Sequence, residues 1–136
     1  MELKERNKQS EILIADSSNV IRANLKKLIS ASHKSVVIYE AEDITSIHHL
    51  LLSIEPDVLI LEIFFADGNA FDLLYYMRKK AMCPTVIIYT DYYSSFNREK
   101  CKKMGVDYYF NKLNDHEKVL GVIDKKIVED KNILGG

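Results

Sequence analysis

The chain is expected to form an α/β fold: a doubly wound, five-stranded parallel sheet with helices on both faces. Three observations predict it. Five apolar runs are continuous rather than alternating, as strands covered on both sides require. Between them lie stretches whose apolar residues recur at helical spacing. The two patterns alternate strictly from one end of the chain to the other, which implies parallel strands joined by helical crossovers.

The first strand is EILIA, Glu11 to Ala15, and the polar cluster DSSN follows it directly. Ser17 or Ser18 can cap the next helix, where Ile21, Leu25, Leu28 and Ile29 form a stripe. SVVIYE, Ser35 to Glu40, is rich in β-branched residues and reads as the second strand. Asp43 can cap a helix with Ile44, Ile47, Leu51 and Ile54 inward, which Pro56 and Asp57 end. VLILE, Val58 to Glu62, is the third strand, and Phe71 to Lys80 is a helix with Leu73, Leu74 and Met77 inward. TVIIY, Thr85 to Tyr89, is the fourth strand. Ser94 or Ser95 opens a helix that Gly105 closes, since glycine readily takes the left-handed conformation at helix C-termini. DYYF, Asp107 to Phe110, is the fifth strand, and Asp115 starts a last helix with Val119, Ile123 and Ile127 four apart.

With 136 residues, one domain is expected: a polar N-terminal extension over 1–10, the folded body over 11–128 and a flexible tail over 129–136. A net charge of -1 gives no basic surface of the kind that binds nucleic acid nonspecifically. No apolar run approaches the roughly 20 residues that span a bilayer, and MELKERNKQS has no apolar core of a signal peptide. Cys83 and Cys101 have no metal-like spacing and read as buried or half-buried thiols, which fits a cytoplasmic compartment.

In a doubly wound sheet the functional crevice lies beyond the C-terminal ends of the strands. No GxGxxG or GxxxxGK(S/T) loop follows the first strand, which removes the nucleotide-binding versions of the architecture. Asp16, Glu62, Thr90 and Lys112 each follow or end a strand and should converge there. Two carboxylates and an ammonium in one crevice can bind a hard cation with an anion, or can satisfy one another. His48-His49 offers no shared ligand face, because adjacent residues on a helix point apart.

From about Glu11 to Val128 the chain resembles the response-regulator receiver domain, the phosphate-accepting module of two-component signalling. ILIADSSNVIR is similar to the family's opening strand and helix, where a pair of acids becomes Asp16-Ser17. FDLLYYMR is similar to the third helix, which places Glu62 on the phosphate-accepting aspartate. Thr90 falls on the hydroxyl position, and MGVDYYFNK places Lys112 on the invariant lysine and Tyr109 on the aromatic switch position. The resemblance implies the flavodoxin-like strand order 2-1-3-4-5. Aligning Asp67-Gly68 to the family's Asp-Gly pair would put the acceptor at Ile60, an apolar mid-strand residue. The ungapped register instead puts Asn69-Ala70 there, and Asp67-Gly68 is an independent turn in an altered loop.

Several departures bear on the family's chemistry, in which positioning and charge neutralisation dominate. Ser17 stands where an acid contacts magnesium, so the metal site of Asp16 and Glu62 is expected to be weak or absent, with no cofactor required. Glu62 moves its carboxylate outward by about 1.5 Å, a shift that costs on the order of a hundredfold where attack geometry matters. Leu113 replaces the proline after the lysine, and Phe64-Phe65 makes the loop after Glu62 apolar. A longer carboxylate also reaches toward Lys112 and Thr90, where pairing can hold a fixed state that partly imitates the phosphorylated form.

The resulting expectation is a degenerate receiver, with no catalytic residue of its own, that signals by contact with a histidine kinase or downstream effector. Tyr92, Tyr93 and Tyr109 mark an interface, and the resemblance implies a possible homodimer through the fourth-helix, fifth-strand and fifth-helix face. The alternative is a working phosphoacceptor that takes a phosphoryl group at Glu62 or Asp16. A small-ligand domain of the same shape is the third reading.

Overall fold

The computed structural model describes residues 9–135, with side-chain surroundings as far as residue 127. Most of the expected N-terminal extension lies outside the described residues. Among the described residues, seven strands and five helices follow one another as β1 (Glu11–Ala15), α1 (Asn19–Ser32), β2 (Val37–Ala41), α2 (Ile44–Leu51), β3 (Val58–Leu61), β4 (Phe64–Phe65), β5 (Gly68–Asn69), α3 (Ala70–Lys79), β6 (Thr85–Thr90), α4 (Ser95–Lys103), β7 (Tyr108–Asn111) and α5 (His116–Gly135). Five of the strands form one parallel sheet in the order β2-β1-β3-β6-β7, which is the expected doubly wound order. β4 and β5 form a separate small antiparallel hairpin that the sequence reading took only as a turn.

The sheet divides the core in two, because successive strand residues face opposite sides. Leu13, Leu59, Leu61 and Ile88 pack with Ile47 and Leu51 of α2, Leu73, Leu74 and Met77 of α3, and Cys101 of α4. On the other face, Ile12, Ile14, Ile60 and Ile87 pack with Leu25 and Ile29 of α1 and with Val119, Ile123 and Ile127 of α5. β1 and β3 are fully covered on both sides, which is why their sequences show no polar alternation.

Four helices start where a short polar side chain can take an orphan backbone N–H. Ser18, Asp43, Asn69 and Ser94 accept from Ile21, Ser46, Asp72 and Asn97 respectively. Ser18 and Ser94 thus settle the two open capping choices. β2 and β7 begin later than the sequence suggested, at Val37 and Tyr108, and α2 ends at Leu51 rather than at Pro56. α5 continues through Gly135, past the expected end of the folded body at Val128. Cys101 is buried as expected, and burial pushes its thiol up to about 11. Cys83 is exposed, contrary to expectation, because it lies in the link from α3 to β6 rather than under a helix.

Gly105 closes α4 at φ +82°, and a Cβ there would collide with Arg78 Nη2. That guanidinium donates to the carbonyl of Met104 and can swing away, so the backbone conformation sets the cost. Gly105→Ala is expected to lower stability by about 1–2 kcal/mol, read as a fall in Tm and in the denaturant midpoint.

Candidate functional site

In-register pairing brings the strand ends together. Ala15 pairs with Ala41 and Leu61, Leu61 pairs with Ile88, and Thr90 pairs with Asn111. The ladder then runs one step further: Asp16 N–H donates to Ala41 O, Glu62 N–H to Ala15 O, and Lys112 N–H to Thr90 O. Asp16, Glu62 and Lys112 are therefore held by backbone at the crown of the sheet, and their side chains meet there.

Lys112 Nζ lies 2.5 Å from Asp16 Oδ2 and 2.9 Å from Glu62 Oε1. All three side chains are nearly sealed from solvent, at 6 %, 5 % and 4 % exposure in the order Lys112, Asp16, Glu62. Burial alone would depress the lysine pKa, but the hydrogen bonds that the ammonium donates to Asp16 and Glu62, with the charge of both carboxylates, outweigh it and hold the ammonium above its ordinary value of 10.5. Asp91, largely exposed, approaches the same ammonium at 3.5 Å.

Backbone donors fill the remaining carboxylate positions. Glu62 Oε1 also accepts from Asp91 N–H at 3.0 Å, and Oε2 accepts from Ile63 N–H. Asp16 Oδ1 accepts from Ser18 N–H at 2.9 Å. Ser17 is exposed, and Thr90 is fully buried. The Thr90 hydroxyl accepts from Tyr92 N–H at 2.9 Å, so Glu62 meets the backbone of Asp91 where a contact with Thr90 itself was expected.

The expected interface tyrosines adjoin this crown. Tyr109 points its hydroxyl into the 92–94 loop, accepting from Ser94 N–H at 3.1 Å and donating toward the carbonyls of Tyr92 and Ser94. Tyr93 stacks on the Tyr109 ring at 4.9 Å, and Tyr92 is about half exposed. Tyr108, by contrast, packs on the opposite core with Phe110. His48 lies edge-on to Tyr76 and His49 is exposed, so the two do not form a ligand pair.

Sequence reasoning missed Arg22. It is buried in α1, donates to the Asp16 carbonyl at 2.5 Å and pairs with Glu40 at 3.2 Å, bracing β1 against the end of β2. The signal was present: Arg22, Leu25 and Ile29 form the buried stripe, and an arginine in such a stripe needs partners.

A family model of the response regulator receiver domain matches residues 12–124, and the chain belongs to that family. Sensory transduction protein LytT of Bacillus subtilis is 26% identical over 123 residues, covering 90% of this chain and 50% of that protein. The crystal structure of a LuxR-family DNA-binding response regulator from Staphylococcus aureus aligns at a TM-score of 0.76 with 26% identity, over 86% of this chain and 98% of that one. A CheY-like receiver domain from Methanospirillum hungatei JF-1 aligns at 0.80 with 20% identity, over 92% and 98%, and bears on the fold alone. The chain spans about half the length of the LytT proteins it matches. Domains of this family work in two-component signalling and interact with histidine kinases and effectors. Among the described residues no helix is long and apolar enough to cross a membrane.

Two outcomes are expected from the ion triad. Lys112→Met leaves two buried carboxylates without a counter-charge and should destabilise the domain by about 3–5 kcal/mol at neutral pH, measured by denaturant unfolding. In the unsubstituted protein the folded-state lysine pKa lies above the unfolded one. Its stabilisation is therefore complete below about 10.5 and is lost as pH rises through the folded value. A Tm profile should fall in that alkaline window, and Lys112→Met should flatten the fall.

Proposed function

We propose that this receiver domain signals through protein contact, without standard aspartyl phosphorylation. The observation that supports it most is the Lys112 ammonium seated between Asp16 Oδ2 and Glu62 Oε1. A nucleophilic carboxylate must present a free oxygen in line with the incoming phosphorus. Both oxygens of Glu62 are engaged, one by Lys112 and the Asp91 N–H, the other by its neighbour Ile63.

The donor set fits a magnesium ion poorly. Magnesium asks for near-octahedral oxygen ligands and leans on carboxylates. Here the two carboxylates turn toward a lysine, and the third position is the neutral, exposed Ser17. The ammonium supplies the positive charge that a cation would bring. Tyr109, tied to the 92–94 loop, supports a domain held in one state by its own ion pair. The partner in this reading is a histidine kinase or a downstream effector, met through the tyrosine-bearing face of α4, β7 and α5, where a homodimer can also form.

The second reading, a working phosphoacceptor at Glu62 or Asp16, rests on the presence of two carboxylates, Thr90 and Lys112 in one crown. Intact mass after incubation with magnesium and acetyl phosphate separates the two. The unsubstituted chain should stay unmodified, while Glu62→Asp combined with Ser17→Asp should gain one phosphoryl group. A phosphoryl adduct on the unsubstituted chain sinks the contact-only reading.

A further inference from the structure

The Asp67-Gly68 turn has no part in the ion triad, yet it is heavily bonded. Asp67 is exposed in the two-residue link between β4 and β5. Its Oδ1 accepts from Ile44 N–H at 2.9 Å, and Oδ2 accepts from Thr45 N–H at 2.9 Å and from the Thr45 hydroxyl at 2.8 Å. Those are the first two N–H groups of α2, which lack intrahelical partners and carry the positive end of the helix dipole. The backbone bonds from Ile44 and Thr45 also hold the Asp67 carboxyl below its ordinary range. Gly68 makes an independent contact with the same place: a Cβ there would lie 3.1 Å from Ile44 Cγ1. The hairpin tip is thus seated on the N-terminus of α2 at two consecutive residues.

The other end of the hairpin faces the crown. Phe64, paired with Asn69 across the hairpin, sets its ring edge-on to Tyr92 at 4.9 Å. The residues beneath this contact are those of the site: Tyr92 N–H is bonded to the Thr90 hydroxyl, and Asp91 N–H to Glu62. The aromatic contact therefore joins the two loops that flank the Glu62–Lys112 crevice. Two residue pairs do not sustain a hairpin in water, so its placement depends on what anchors it.

We propose that Asp67 is a positioning residue: by clamping the hairpin to the N-terminus of α2 it holds Phe64 against Tyr92, and so governs access to the Glu62–Lys112 pair. The clamp connects α2, on the β2 side of the sheet, with the loop after β6. A partner that engages the start of α2 competes for the same N–H groups and opens the crevice. The clamp acts on exposure, so it stands or falls separately from whether Glu62 takes a phosphoryl group.

Acetylation of Lys112 by acetic anhydride at one fixed pH, quantified by peptide mass spectrometry, compares the accessibility of its free amine between variants. Asp67→Ala should raise the Lys112 rate at least about tenfold, as loss of charge-assisted hydrogen bonds implies, and Phe64→Ala should raise it by up to about tenfold, as loss of one aromatic pair implies. The double variant should be no faster than the faster single, since both open one path. Asp67→Asn, which keeps one acceptor oxygen, should fall between. Labelling of the thiol of Cys101, on the buried face of α4, controls for global loosening and should stay unchanged. An unaltered Lys112 rate in Asp67→Ala overturns the proposal, as does a parallel rise at Cys101. If Asp67→Ala does not fold, Gly68→Ala lifts the hairpin through Ile44 without touching the carboxylate and decides on the same terms.

Discussion

Two carboxylates buried side by side need a counter-charge, and Lys112 supplies it. Asp16 and Glu62 are nearly sealed from the water that would screen them, so their charges depend on the ammonium between them and on backbone N–H groups at the remaining oxygens. This one constraint organises the crown of the sheet. It requires β1 and β3 to end level with one another and β7 to run two residues beyond them, and it ties the loops after β3 and β6 together through Glu62 and Asp91. Arg22 extends the same logic outward, joining the carbonyl of Asp16 to the carboxylate of Glu40.

The choice of glutamate at 62 follows from that arrangement. Its longer side chain folds back far enough for one oxygen to bond the next backbone N–H while the other serves Lys112 and Asp91. Such an arrangement leaves both carboxylate oxygens of Glu62 hydrogen-bonded, and the aromatic contact between Phe64 and Tyr92 lies alongside it. The hairpin carrying Phe64 is short and is anchored by polar bonds to an exposed helix end, a kind of contact that a partner can displace more readily than core packing.

Most of the architecture was legible in the chain because the signals are local. Continuous apolar runs mark β1, β3 and β6, the stripes of α1, α2, α3 and α5 repeat at helical spacing, and Ser18, Asp43 and Ser94 stand where caps are needed. Boundaries slipped where the cause is not local. β2 and β7 lie at the sheet edges and begin only where a neighbour offers a ladder partner. The β4–β5 hairpin escaped notice because two-residue strands leave no periodicity, and its stabilising bonds come from residues more than twenty positions earlier.

The sequence by itself determined the class of fold, the family and the set of polar residues at the strand ends, since each depends on patterning along the chain. Only the tertiary structure decided how those residues are used. It seats Lys112 between Asp16 and Glu62, directs Glu62 to the Asp91 backbone rather than to Thr90, buries Arg22 against the Asp16 carbonyl and turns Asp67 onto the start of α2. The reason is physical. Which donor meets which acceptor is set by where separate strands end relative to one another in space, and spacing along the chain does not encode that distance.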